Sequence, residues 1–295
     1  DYVTIIDFIG NYKNNYMIPM ALSGDMSYNK DSLRKGTFDT SYITGISSIN
    51  FEAIAKERIY KAIDDVKLDS MKSIKDAYAK LKIRLNRVPM LVDFLEQKSI
   101  DPYLIVSGKV SNIKTYYDFL LKNDDTIGKI SELENKYLMI ISREFLTGVR
   151  KQDILLLSEM VKGREFNRKE IKVLFQSYGL DAQERTIDSV LNTLNLNFFT
   201  GLLAETYSGG EIIEAGQKIQ LSVGMKKSLL RNSYFKLLLE DLLSASFIKS
   251  ESYDKSRVFT LYKKYRRRDV IRLLNWDKQQ IDQNIGGYIR KDDEF

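Results

Sequence analysis

Cations are the residues of this 295-residue chain best equipped for chemistry. The stretch YKKYRRRD, residues 262–269, sets Lys263, Lys264, Arg266, Arg267 and Arg268 within six positions, with Tyr262 and Tyr265 between them. Arginine grips phosphate through two parallel hydrogen bonds and tyrosine stacks on bases, so the pattern suits a nucleic-acid backbone. A thinner group, Lys226, Lys227 and Arg231, suits the same partner. The set Lys80, Lys82, Arg84 and Arg87 is weaker, because alternation around a helix sends those charges to different faces. Against all three stands the plainer reading of a short basic run as a solvated surface. The net charge of +6 and pI near 9.1 permit a polyanionic partner without establishing one.

Other chemistries lack their residues. With no Cys and no His, the chain has no disulfide framework, zinc finger, thiol nucleophile or imidazole base. Carboxylates alone can still bind a metal. However, Asp64-Asp65, Asp124-Asp125 and Asp292-Asp293 are sequence neighbours, which do not share a helix face. No G-x-x-x-x-G-K-[ST] phosphate loop, H-E-x-x-H or G-x-S-x-G is present. YSGGEIIEAG is rich in glycine but has no lysine and leads into a polar strand, which suits a tight turn. The expectation is a chain with no catalytic residue, cofactor or metal site of its own.

The elements that must position the cations are mostly helical. Hydrophobic and charged contents of 43% and 29% are ordinary for a globular chain, and the length suggests two or three domains. Apolar runs such as DILLLSEM and FKLLLEDLL are too short to span a bilayer, and no signal peptide is visible, so a soluble cytoplasmic protein is expected. YVTIIDFI, residues 2–9, is nearly continuous apolar sequence ended by Gly10-Asn11 and reads as a strand buried on both faces. No set of similar strands follows, so Ile5, Ile6, Phe8 and Ile9 are expected to lack their partners.

From Asn50, helical spacing takes over. Phe51, Ile54, Ile59, Ile63 and Val66 predict one helix capped by Asn50, and Met71, Ile74, Tyr78, Leu81 and Leu85 predict a second capped by Asp69. Pro89 is placed near the first turn of a short third helix, and KTYYDFLLKN and ISELENKYLMIISREFL follow as two more. Residues 150–225 predict three short helices, with Asn167 and Asp181 at the second and third starts and Gly163 and Gly179 at the ends. Strand-like segments in GGEIIEAGQKIQLSV then complete the order of a winged helix-turn-helix. Its third helix carries Asp181, Glu184 and Asp188 against Arg185, and so repels phosphate. This leaves a winged helix used for packing or protein contact beside one that binds DNA. One long helix, KKSLLRNSYFKLLLEDLLSASF, follows, and a short strand-like run with a helix closes the chain.

Three segments resemble one known family. YVTIIDFIGNYKNN is similar to the last core strand of the second RecA-like domain in bacterial DEAD/DEAH-box helicases of superfamily two, where that strand follows closely on the arginine-finger motif. The similarity continues through ALSGD and KLKIRLNRVPMLVDFLEQKSIDP. VFTLYKKYRRRDVIRLLNWDKQQ and GGYIRKDD then resemble the opening of a C-terminal domain of unknown function attached to these helicases. Members often carry an N-terminal phospholipase-D-like nuclease domain, and many are linked with restriction or phage defence.

The resemblance implies a mainly α accessory region of an ATP-dependent helicase that braces the motor and contacts nucleic acid, with DNA as the partner. It gives residues 1–25 to the last motor strand and linker, 26–148 to a helical bundle, 149–250 to a winged-helix-like domain and 251–295 to the start of a truncated C-terminal domain. ATP and Mg are then expected for the parent protein, whose motor and C-terminal domains are further partners, and no membrane is expected. Lys226, Lys227, Arg231, Lys263, Lys264, Arg266, Arg267 and Arg268 are the expected nucleic-acid contacts. A free-standing winged-helix DNA-binding module and a spacer touching only other domains are the alternatives.

Overall fold

The computed structural model describes residues 15–23, 30–38, 52–65, 71–107, 113–254, 257–261 and 263–278. The strand expected at 2–9, the caps Asn50 and Asp69, and Phe51, Val66 and Tyr262 lie outside them. Two compact units emerge: Asp1–Ile127 with Phe259–Lys264, and Gly128–Val258 with Tyr265–Phe295. As the periodicities predict, the described residues are mainly helical, with one small two-stranded sheet.

The first unit holds α1 (Met17–Ser23), α2 (Lys30–Phe38), α3 (Ala53–Asp65), α4 (Met71–Leu85), α5 (Leu91–Glu96), α6 (Tyr103–Val106) and α7 (Tyr116–Asn123). Met20, Leu33, Ile59 and Ile63 form a core between the first three helices. Ile54, expected on the same face, is 63% exposed. It stands five positions before Ile59, which is about 140° around an α-helix. In α4 the buried residues Ile74, Tyr78 and Leu81 follow the predicted stripe. Tyr78 meets Phe119 edge-on at 5.1 Å, and Phe119 stacks on Tyr116 at 6.0 Å. Pro89 stands one residue before the α5 cap Met90, and its carbonyl accepts the Tyr116 hydroxyl at 2.6 Å.

The second unit begins with α8 (Glu132–Phe145), which starts in a reciprocal cap: Ser131 Oγ accepts the Glu134 N–H, and Glu134 Oε2 accepts the Ser131 N–H. Then come α9 (Lys151–Val161), α10 (Arg168–Ser177), α11 (Glu184–Leu194) and α12 (Leu202–Tyr207). Asn167 caps α10 as expected, and Gly163 and Gly179 sit at φ 94° and 67° just past α9 and α10. Asp181 does not cap α11. The cap is Gln183, and Asp181 accepts the Gln183 N–H and the Thr186 hydroxyl from outside the helix.

Strands β1 (Ile213–Ala215) and β2 (Ile219–Leu221) pair antiparallel, with Ile213 opposite Leu221. Phe166, between α9 and α10, adds a bridge to Ile219 through hydrogen bonds of 2.9 and 2.8 Å. Three helices, a hairpin and this strand stub follow winged-helix order, with α12 added before the hairpin. The long helix expected next is two, α13 (Val223–Arg231) and α14 (Ser233–Ser250). Asn232 breaks them, its Oδ1 accepting the Tyr234 and Phe235 N–H groups while its Nδ2 donates to Lys129 O and Glu134 Oε2. α14 packs against α8 and α9, and Phe235, Leu238, Leu239, Leu242 and Leu243 of α14 are buried, as are Ile154, Leu156 and Leu157 of α9. The segment 257–261 forms bends and a turn instead of a strand, and α15 (Arg267–Leu273) follows.

Candidate functional site

The run at 263–268 divides between surface and interior. Arg267 is exposed and makes no ion pair among the described residues. Lys264 is also exposed and lies 3.8 Å from Asp64 Oδ1, while Lys263 is half-buried. Arg34 also pairs with Asp64, and this contact, with the nearby charges of Lys264 and Lys30, holds the Asp64 carboxyl below its ordinary range.

Arg266 and Arg268 turn towards buried carboxylates. Arg266 is the N-cap of α15, donating Nε to Asp269 Oδ2 at 2.7 Å, Nη2 to Asp269 Oδ1 at 2.8 Å and Nη1 to Arg143 O at 2.6 Å. Arg268 Nε lies 3.0 Å from Glu144 Oε2, an ion pair whose geometry falls short of a hydrogen bond. Glu144 is fully buried, and its Oε1 accepts the Tyr207 hydroxyl at 2.7 Å. Arg272, also buried, donates Nη2 to Asp269 Oδ1 at 2.7 Å and to Glu144 O at 3.1 Å.

Arg150 extends this cluster. It is the N-cap of α9 and holds both oxygens of Asp153 at 2.7 Å. It also donates to Ser189 Oγ at 2.7 Å, Thr193 Oγ1 at 2.9 Å and Arg272 O at 3.0 Å. α9 and α15 thus open on the same device, Arg at the cap and Asp three residues on, joined bidentately. Sequence reasoning missed Arg150, Glu144 and Tyr207. The repeated R-x-x-D of RKQD and RRRD, each leading an apolar helix, is the signal that could have found the first.

Two groups show the field of this cluster. Burial alone raises the Asp269 carboxyl, but hydrogen bonds and charge from Arg266 and Arg272 hold it well below the usual carboxylate range. Burial, followed by the Glu144 charge, pushes the Tyr207 phenol well above its ordinary value. Glu144, Asp153 and Asp269 are each engaged by guanidinium or phenol, an arrangement that can hold elements together.

The other expected contacts lie on α13. Lys226 is tied to Glu165 at 2.9 Å and Gln220 at 2.6 Å, while Lys227 and Arg231 are exposed. On the third helix of the winged-helix arrangement, Glu184 and Asp188 pair with Arg168 of α10, and Arg185 is exposed. No group of carboxylates that could hold a metal ion occurs among the described residues. No helix among them is long and apolar enough to cross a membrane.

Comparison with known families gives this geometry a frame. Residues 259–295 match a domain of unknown function, DUF3427, which is seen in helicase-associated proteins. α15 and its three arginines therefore lie in that segment, whereas Glu144, Arg150 and Asp153 lie in a second matched region. No curated protein matches the chain. That second region runs over residues 74–255, more than half of the chain, and is matched by the domain of unknown function DUF8090, the family to which this chain belongs.

Proposed function

We propose that this chain is the accessory region following the motor of a DEAD/DEAH-box helicase of superfamily two, bracing the motor and seating the C-terminal domain. The supporting observation is the buried cluster through which Arg266, Arg268, Asp269 and Arg272 of the DUF3427 segment engage Glu144, Arg143 and Arg150 of the DUF8090 region. Directed, buried ion pairs favour one register between elements, where a plain apolar patch tolerates sliding. A joint that transmits motion between domains needs that stiffness. In this reading ATP and Mg belong to the parent's motor, and the setting is cytoplasmic restriction or phage defence. The chain's own sequence contains no phosphate loop. The purified chain should release no phosphate from ATP, with or without nucleic acid, and measurable turnover would contradict the reading.

Nucleic acid, DNA in particular, is the second proposed partner, through Lys227, Arg231 and Arg267, the expected contacts that stay exposed without an ion pair among the described residues. Anisotropy of labelled single- and double-stranded oligonucleotides should show binding that weakens steeply as salt rises. Changing all three cations to Ala should reduce both affinity and salt slope. The alternative of a spacer touching only other domains is favoured by the inward-turned Arg266 and Arg268. An absence of binding to either oligonucleotide at low salt selects it.

A further inference from the structure

The first unit carries an open groove of about 550 Å³ along α4 and the turn after it. Its polar lining is Lys75, Tyr78, Lys82, Asn86, Arg87 and Asn123, with no carboxylate residue. Lys82 follows Lys75 by seven positions, so one side of α4 gathers them, and Asn86 stands just past the helix end at φ 52°. The Lys80–Arg87 set does spread over several faces, as its alternation predicts. Yet two of its members, Lys82 and Arg87, meet in this groove beside Lys75.

Those two cations are pinned from behind. Lys82 Nζ lies 2.5 Å from Asp124 Oδ2, which also accepts the Tyr78 hydroxyl at 2.9 Å. Arg87 holds the two Asp93 oxygens at 2.6 and 2.7 Å. The Asp124 and Asp93 side chains are 3% and 9% exposed, against 42% and 52% for Lys82 and Arg87. The carboxylates thus hold the cations from the interior, and both side chains line the groove. Lys75 is exposed and unpaired among the described residues, as are Lys72, Lys80 and Arg84 on the rest of the outer surface of α4. Asp76 is the acid α4 sets against them.

From Lys75 to Leu85 the groove follows α4 for about 15 Å at helical rise, and Arg87 extends it past the helix end. One strand of a duplex carries about four phosphates over that length. A compact anion would meet only part of such a surface. We infer that the α4 groove takes the phosphodiester backbone of a nucleic-acid strand, as a contact carried by different residues from Lys227, Arg231 and Arg267. The inference rests on the nucleic-acid reading above and extends it to a site that the sequence pattern discounted.

The test uses the 295-residue chain with labelled single-stranded DNA, duplex DNA and single-stranded RNA of one sequence, across a salt series. The double variant Lys75→Glu/Asn86→Asp leaves both pinned pairs intact, and Lys75→Ala is a milder companion whose fold is not in question. The double variant should bind about tenfold more weakly, with a salt slope on single strands smaller by about 0.7 per lost phosphate contact. Lys75→Ala should show a smaller loss in the same direction. The relative loss on DNA and RNA tells which strand the groove prefers. Unchanged affinity in both variants, with the parent chain binding normally, overturns the groove and leaves the nucleic-acid reading intact. Failure of the parent chain to bind any strand overturns both. Capture of polyglutamate instead, lost in the double variant, assigns the groove to an acidic protein and overturns the inference.

Discussion

Asp269 sits between Arg266 and Arg272 with both oxygens occupied, and it shows what a single buried charge costs when its partners stay behind. Asp269→Asn leaves two guanidinium groups without their counter-ion and should destabilise the chain by about 3 kcal/mol. For a unit of this size that lowers Tm by roughly 6–12 °C, readable by thermal melting. The pH dependence follows from the direction of the shift. Because the folded carboxyl takes its proton at lower pH than the unfolded one, its stabilisation is full above about pH 5 and drains away as pH falls. Urea midpoints between pH 7 and 3 should fall for the parent chain and fall less for Asp269→Asn, and equal losses would remove Asp269 from this role. Tyr207 works from the alkaline side. Its raised phenol stays neutral when folded, so its contribution is lost as pH climbs past about 10, where the unfolded tyrosine ionises.

Helices cross closely where Gly148 follows α8 and meets the end of α14. At φ 75°, an added Cβ would lie 2.6 Å from Ser250 N and 2.8 Å from the Lys249 carbonyl carbon, both backbone atoms that cannot swing aside. Gly163, at φ 94°, has open space around it. Gly148→Ala should therefore cost about 2 kcal/mol or more, and Gly163→Ala about 1 kcal/mol from backbone strain alone. Equal denaturant midpoints for the two variants would contradict the close crossing. At this scale much was legible beforehand. The stripe Ile74, Tyr78 and Leu81, the Asn167 cap and the glycine stops all reside in local spacing, which local physics decides. What escaped was decided by tertiary partners. Asn232 divides one apolar run into two helices because its amide also reaches Lys129 and Glu134, about a hundred residues away.

Across the whole molecule, the basic run at 263–268 is the sharpest case of what sequence conceals. Five cations in six positions look alike to a solvent-facing reading, yet Arg266 and Arg268 have carboxylate partners at Asp269 and Glu144, and the latter lies more than a hundred residues upstream. No local pattern encodes the pairing with Glu144. The same long-range physics selects Lys82 out of a scattered set through Asp124, whereas Arg87 is held by Asp93 only six residues on. The candidate sites thus differ from the expected ones more than the helices do, because charges are sorted by distant neighbours and helices by near ones. If the buried cluster fastens the opening of the DUF3427 segment to the DUF8090 helices, native-state hydrogen exchange on Glu144→Gln will read its loss. The α15 amides should lose about a hundredfold in protection, as expected for breaking a buried pair, while the α9 core amides keep theirs. Unchanged protection in α15 would contradict that fastening.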